Sequence, residues 1–200
     1  VRIQFVVEPN PVLRAVKIQN NQALPQEVVN QSFNEQYGKI LNLKQLQTGV
    51  QKLNKWYQDN GYVLAQVIDS PKINPDGSVT LQVAEGVIED IQVQFVNPEG
   101  EETKGKTQPY IITREMQLKP GEIFRRELAQ KDLQRVFGLG IFQDINLNLN
   151  PAKDPRKVVL VVNVTEGRNF SVSPGGGYSS KTGLFAASSF NLRNLNGRNQ

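Results

Sequence analysis

The feature that most constrains this chain is an internal period close to eighty residues, the mark of tandem modules and not of one large core. Val6-Val7-Glu8-Pro9, Val83-Ala84-Glu85-Gly86 and Val164-Thr165-Glu166-Gly167 read as three alike strand ends, with glutamates 77 and 81 residues apart. A second marker agrees: Asn60-Gly61-Tyr62 and Leu139-Gly140-Ile141 place glycines 79 apart. A chain of 200 residues has room for two such modules.

Within the first full period, residues 13–19 alternate apolar and polar, as a half-buried strand does. Pro25, tolerated in a first turn, opens a short helix that sets Val28, Val29 and Phe33 on one side. The clearest segment follows. Asn42 can cap a helix whose apolar stripe is Leu43, Leu46, Val50, Leu53 and Tyr57. Asp59-Asn60-Gly61 ends it, because glycine supplies the left-handed residue that closes a helix. Residues 63–68 read as a strand, Asn74-Pro75-Asp76-Gly77 as a turn, and Ser78–Ala84 as a second alternating strand. Trp56 reads as filler for the helix–sheet junction.

The second period repeats the order. Ile91, Val93 and Phe95 alternate with polar residues in a strand, and a charged loop over residues 99–108 has no counterpart in the first period. Thr113 is expected to cap a short helix reaching Leu118, which Lys119-Pro120-Gly121 terminates. A second helix over residues 124–137 buries Ala129, Leu133, Val136 and Phe137, and Gly138 and Gly140 break it. Residues 141–149 and 157–164 are the closing strands. Five successive apolar residues at 158–162 place the last of these at a sheet centre or under cover on both faces. The expected class is therefore α+β, with β-α-α-β-β modules carrying two helices on a three-stranded mixed sheet. Their bounds are 10–87 and 88–168, after the last strand of a preceding module at 1–9.

The chain has no cysteine and no histidine. Disulfides, thiolate nucleophiles, imidazole bases and the usual zinc and copper ligands are thereby removed. No catalytic residue, cofactor or metal is expected. The formal net charge of +4 arises wholly beyond Glu166, where Arg168, Lys181, Arg193 and Arg198 meet no acidic residue. A nucleic-acid module should carry its excess on the folded body, so no nucleic-acid partner is expected. No run of eighteen apolar residues provides a membrane helix, a test that β-barrel strands escape. The opening Val-Arg-Ile-Gln-Phe-Val-Val carries no basic-then-apolar leader, so any signal peptide lies outside these residues.

The order β-α-α-β-β resembles the POTRA domains of the BamA-type outer-membrane assembly family. The likeness is sharpest at Leu118-Lys119-Pro120-Gly121-Glu122, through Arg135-Val136-Phe137, to Gly140-Ile141-Phe142-Gln143-Asp144-Ile145. The first period departs from that pattern, with Gly61-Tyr62-Val63 and no Pro-Gly-Glu turn. Ser173-Pro174-Gly175-Gly176-Gly177-Tyr178 and the stretch from Phe190 to Gln200 are similar to the first barrel strands of that family, here residues 169–200. The glutamine- and asparagine-rich surface is similar to cyanobacterial members, and the plastid import channel is a related case. The resemblance implies an outer-membrane protein whose arm faces the periplasm, or the equivalent plastid space. It would work with unfolded outer-membrane protein precursors, accessory assembly proteins and the barrel of the same chain. Two strands cannot close a barrel, so the segment beyond about residue 171 is expected to be irregular or borrowed by a neighbouring sheet.

The candidate site is an edge, since three-stranded sheets leave unpaired backbone groups that an extended segment can join; the alternative is that these edges are blunted and the modules only space the barrel from its partners. The family places the second strand of each module at an edge, here Val63, Ala65, Gln66, Val67 and Ile68, and Gln143, Ile145, Asn146 and Leu147. The Glu-Gly pairs Glu85-Gly86 and Glu166-Gly167 are expected as hinges between modules. Glycines 175–177 lack the Gly-Lys-Ser/Thr context of a phosphate loop and read as a turn or linker. Carboxylate pairs such as Glu89-Asp90 and Glu101-Glu102 read as solvated surface, and no enzyme is expected. The alternatives are the arm of a two-partner secretion transporter or plastid import channel, and a POTRA-like cell-division scaffold.

Overall fold

The structure, a computed structural model, describes residues 9–167, 170–179, 183–192 and 194–198. The strand end around Glu8 lies outside them. The chain forms two compact units: Val1–Glu89 with Gly121–Glu127 and Pro151–Val158, and Asp90–Pro120 with Leu128–Asn150 and Val159–Gln200.

The first unit is built on β1 (Ala15–Gln19), α1 (Gln26–Phe33), α2 (Leu43–Asp59), β2 (Gln66–Ile73) and β3 (Ser78–Ala84). Its sheet is mixed, in the order β1-β3-β2: β1 runs parallel to β3 and β2 antiparallel to it. α2 forms as expected. Asn42 Oδ1 accepts from Lys44 N at 3.0 Å and Gln45 N at 3.3 Å, filling two of the donors that a helix start leaves unpaired. Leu46, Leu53 and Tyr57 then fall on the buried face with Val29, Phe33, Val79, Leu81 and Val83. Leu43 does not: it lies in the first turn, before the stripe meets the core, and is 56% exposed. Gly49 occupies the buried face instead, because the Phe33 ring lies where its Cβ would be. Gly61 closes the helix at φ +82°, with Tyr62 N donating to Tyr57 O at 2.9 Å. Trp56, Tyr57 and Tyr62 form an aromatic cluster at that end, with ring centres 5.5 to 6.1 Å apart.

β4 (Val87–Phe95), α3 (Pro109–Thr113), α4 (Arg126–Phe137), β5 (Phe142–Pro151) and β6 (Lys157–Glu166) repeat the plan, with sheet order β4-β6-β5. β6 is central, as its apolar run requires. Two details differ from expectation. Thr113 ends α3 instead of capping it, since Pro109 starts the helix four residues earlier and Thr113 Oγ1 donates back to Tyr110 O at 3.5 Å. Phe137 is 50% exposed, one position past the stripe. Asp132 takes a buried place instead, where it accepts from Gln117 N at 2.9 Å and Leu118 N at 3.0 Å and pairs with Arg135.

The described residues of the two strands beyond the second sheet are regular, contrary to the expectation of irregular or borrowed chain. β7 (Phe170–Ser179) and β8 (Gly183–Leu192) form an antiparallel hairpin with ten paired positions, from Phe170 opposite Leu192 to Ser179 opposite Gly183. Glycines 175–177 are strand and not a turn. Gly175 and Gly176 lie opposite Ala187 and Ala186. A turn at Leu195–Gly197 follows β8.

Candidate docking edges and strand-end anchors

β2 and β5 both lie at the edge of their sheets, but they are not equivalent. Val63 and Ala65 are not in the strand. The chain leaving α2 turns over residues 62–65, closed by Ala65 N donating to Tyr62 O at 3.0 Å, and Ala65 is buried. Gln66, Val67 and Ile68 do pair with β3, opposite Ala84, Val83 and Gln82. The register then shifts between Ile68 and Lys72, Asp69 takes φ 62°, and Pro71 has no N–H. The Val67 N–H points away from β3 and already donates to Asn54 Oδ1 of α2 at 2.9 Å. A capped donor, a bulge and a proline blunt this edge, each a known way of discouraging strand addition. What β2 offers instead is a groove of about 350 Å³ against α2, lined by Leu43, Leu46, Val50, Val67 and Pro71.

β5 is plainer. It runs ten residues with no proline before Pro151, and none of residues 142–150 takes a positive φ. Gln143 and Asn146 are exposed, while Ile145 and Leu147 pack against the second core. Asp144, Asn146, Asn148 and Asn150 alternate along the strand and are all exposed. Asn163 Nδ2 of neighbouring β6 donates to Asn146 Oδ1 at 3.1 Å.

The two Glu-Gly pairs have a geometry that spacing alone does not reveal. Glu85 is buried at the end of β3, where its carboxylate accepts from Gln22 N at 2.8 Å, Ala23 N at 3.0 Å and the Tyr57 hydroxyl at 2.8 Å. Burial first, and then the bond to Glu85, push the Tyr57 hydroxyl far above its ordinary range. Glu166, at the end of β6, accepts from Lys106 N at 3.0 Å and from Thr107 N and Oγ1, both at 2.6 Å. Each glutamate thus anchors the loop leading into the first helix of its repeat. Both carboxylates are taken up by hydrogen bonds to a loop of their own repeat. Gly86 takes φ +70°, and a Cβ there would fall 2.6 Å from Leu64 Cβ. Gly167 N donates to Ile141 O at 2.8 Å. The Asn54 cap and the Thr107 contacts had no signal in the sequence pattern; Pro71 did, as a proline inside a strand run.

Among the described residues no group of three or more acidic, histidine or cysteine side chains is arranged to hold a metal ion. No helix there is long and apolar enough to cross a membrane, which says nothing of a β-barrel.

Residues 12–86 match the family described as POTRA domain, ShlB-type, and residues 91–167 the POTRA family described as surface antigen variable number repeat. Outer envelope protein 80, chloroplastic, of Arabidopsis thaliana is 34% identical over 207 residues, which cover all of this chain and 28% of that protein. The chain therefore spans less than a third of that relative. The N-terminal domain of Omp85 from Thermosynechococcus elongatus superposes with a TM-score of 0.76 at 49% identity, covering 80% of this chain and 68% of that one. POTRA1-3 of the periplasmic domain of Omp85 from Anabaena gives a TM-score of 0.75 at 52% identity, with the same coverage. Two POTRA matches in tandem, on a backbone shared with cyanobacterial Omp85 arms, show that the chain belongs to the Omp85 family as part of its POTRA region.

Proposed function

We propose that this chain is the docking arm of an outer-membrane protein assembly factor, facing the periplasm or the equivalent plastid space, and that it is a binding scaffold and not an enzyme. Its clients are unfolded β-barrel precursors, and its further partners are accessory assembly proteins and the barrel of the same parent chain. The modules run 10–87 and 88–168, with 1–9 closing a preceding module and 169–200 opening the barrel. The β7–β8 hairpin supports that last assignment: Val172 and Phe190 lie opposite one another and are 46% and 68% exposed, as suits strands that end in lipid.

The observation that carries the docking reading is the open edge of β5. A client strand added there gains backbone hydrogen bonds with little demand on its own side chains, which suits a receptor for many sequences. β2, capped and bulged, takes a smaller part through the apolar groove beside it. Photo-cross-linkers at Gln143, Asn146, Gln66 and the helix-face residue Glu127 test this with an unfolded barrel peptide. Labelling should be strongest from Gln143 and Asn146 and weaker from Gln66. Labelling confined to Glu127 would refute edge docking.

A further inference from the structure

The charged loop that only the second repeat carries, and the Asn-rich turn after β8, meet within the second unit. Asn194 is buried, and its Nδ2 donates to Thr107 Oγ1 at 2.7 Å. Gln108 N donates to Gly197 O at 3.0 Å, and Gln108 Nε2 to Asn196 O at 3.5 Å. Asn194, Asn196 and Gly197 take φ of 59°, 52° and 69°, so the turn is left-handed at three of its four residues. A Cβ on Gly197 would lie 2.1 Å from Lys106 O, so the two backbones touch there as only glycine permits. Thr107 is 2% exposed and passes the contact on, because its hydroxyl also donates to Glu166 at 2.6 Å.

The first repeat makes the specialisation visible. There the matching glutamate, Glu85, takes its side-chain hydrogen bond from Tyr57 of α2, and the loop residue beside it is Ala23, which has no hydroxyl. In the second repeat the hydroxyl comes from the loop itself, placed to face both the strand end and the incoming turn.

We propose that residues 106–108 form a built receptor for the left-handed Asn-Leu-Asn-Gly turn, with Thr107 the node that ties both roots of the β7–β8 hairpin to the second POTRA repeat. The receptor reads three features of its ligand: an amide donor, a glycine carbonyl, and a Cα without a side chain. Glu166 holds the strand leading into β7, and Asn194 to Gly197 hold the chain leaving β8. The hairpin is thereby set at a fixed angle to the repeat from which it grows, and it does not pivot at Gly167.

Hydrogen exchange on the chain tests this. Thr107→Val removes the hydroxyl at constant shape, and Gly197→Ala spoils the close approach without touching the core. Both should speed exchange across residues 104–108 and 194–198 about tenfold, the scale of one buried hydrogen bond, with residues 22–24 unchanged. Thr107→Ser should restore the protection seen with threonine. Exchange at 194–198 that is the same in Thr107→Val, Gly197→Ala and the parent chain would overturn the proposal. So would equal loss of protection at residues 22–24, which marks general unfolding instead of turn release.

Discussion

Replacing Glu85 by alanine should destabilise the first unit by about 2 to 4 kcal/mol, a large effect for a residue at a module boundary. The figure follows from what the carboxylate leaves behind. Three donors lose their acceptor: Gln22 N, Ala23 N and the Tyr57 hydroxyl. Hydrogen bonds to a charged acceptor contribute about 1.5 to 3 kcal/mol each, and an orphaned buried donor costs about 1 to 3 kcal/mol. The three do not add. Gln22 is exposed and Ala23 half-buried, so water can reach both amides, whereas Tyr57 is fully buried and stays unpaired. Glu85→Gln keeps one acceptor oxygen and can donate its amide to the Tyr57 oxygen, so it should cost about 1 kcal/mol. Urea unfolding followed by tryptophan fluorescence reads the effect in the right place, because Trp56 is the chain's single tryptophan and its ring lies 5.5 Å from that of Tyr57. A Glu85→Ala midpoint within about 0.5 kcal/mol of the parent, the ordinary range of surface changes, would show that the carboxylate is no anchor and return it to the hinge role.

Three further outcomes are expected. Gly49→Ala should destabilise α2 by about 1 kcal/mol despite the higher helix propensity of alanine, because the new Cβ would sit 2.1 Å from Phe33 Cε1; in a Phe33→Leu background the same change should stabilise, as thermal melts can show. The raised Tyr57 pKa favours the fold only while the unfolded chain also keeps its proton, so stability should fall as pH rises above 10; Tyr57→Phe should flatten that alkaline limb of a urea-midpoint profile. The Arg156 side chain lowers the Asp154 carboxyl from 3.8 to about 2, so its contribution is complete above pH 3.8 and fades as pH falls through 2; Asp154→Asn should flatten the melting temperature across that window.

The period, the α+β class, the Asn42 cap, the Gly61 closure and the central place of β6 were all legible, because each rests on chemistry within a few residues or on a repeated pattern. What escaped depends on contacts between distant segments. The burial of Asp132 is set by amides fourteen and fifteen residues earlier, and no helical period can reveal those partners. Thr113 looked like a cap because its type fits, while Pro109 had already begun the helix. Val63 and Ala65 looked like strand because they are apolar; they are turn because the chain leaving α2 must first reverse over Tyr62.

The comparison of the two repeats explains why similar strand ends do not have similar consequences. Both keep a glutamate that ties the last strand to the loop before the first helix, and that tie is structural in each. The partners around it differ. Tyr57 of α2 donates its hydroxyl to Glu85, whereas the position 79 residues on, within α4, is Val136, which leaves Glu166 without a helix hydroxyl. Thr107 fills that lack from the loop, and the hydroxyl so placed becomes available to a second segment. The edges diverge in the same direction. The first repeat blunts β2 with a bulge, a proline and the Asn54 cap, while the second leaves β5 plain. Since a bare edge invites unwanted pairing, its retention in one repeat and suppression in the other favours client docking at β5 over a purely spacing role for both.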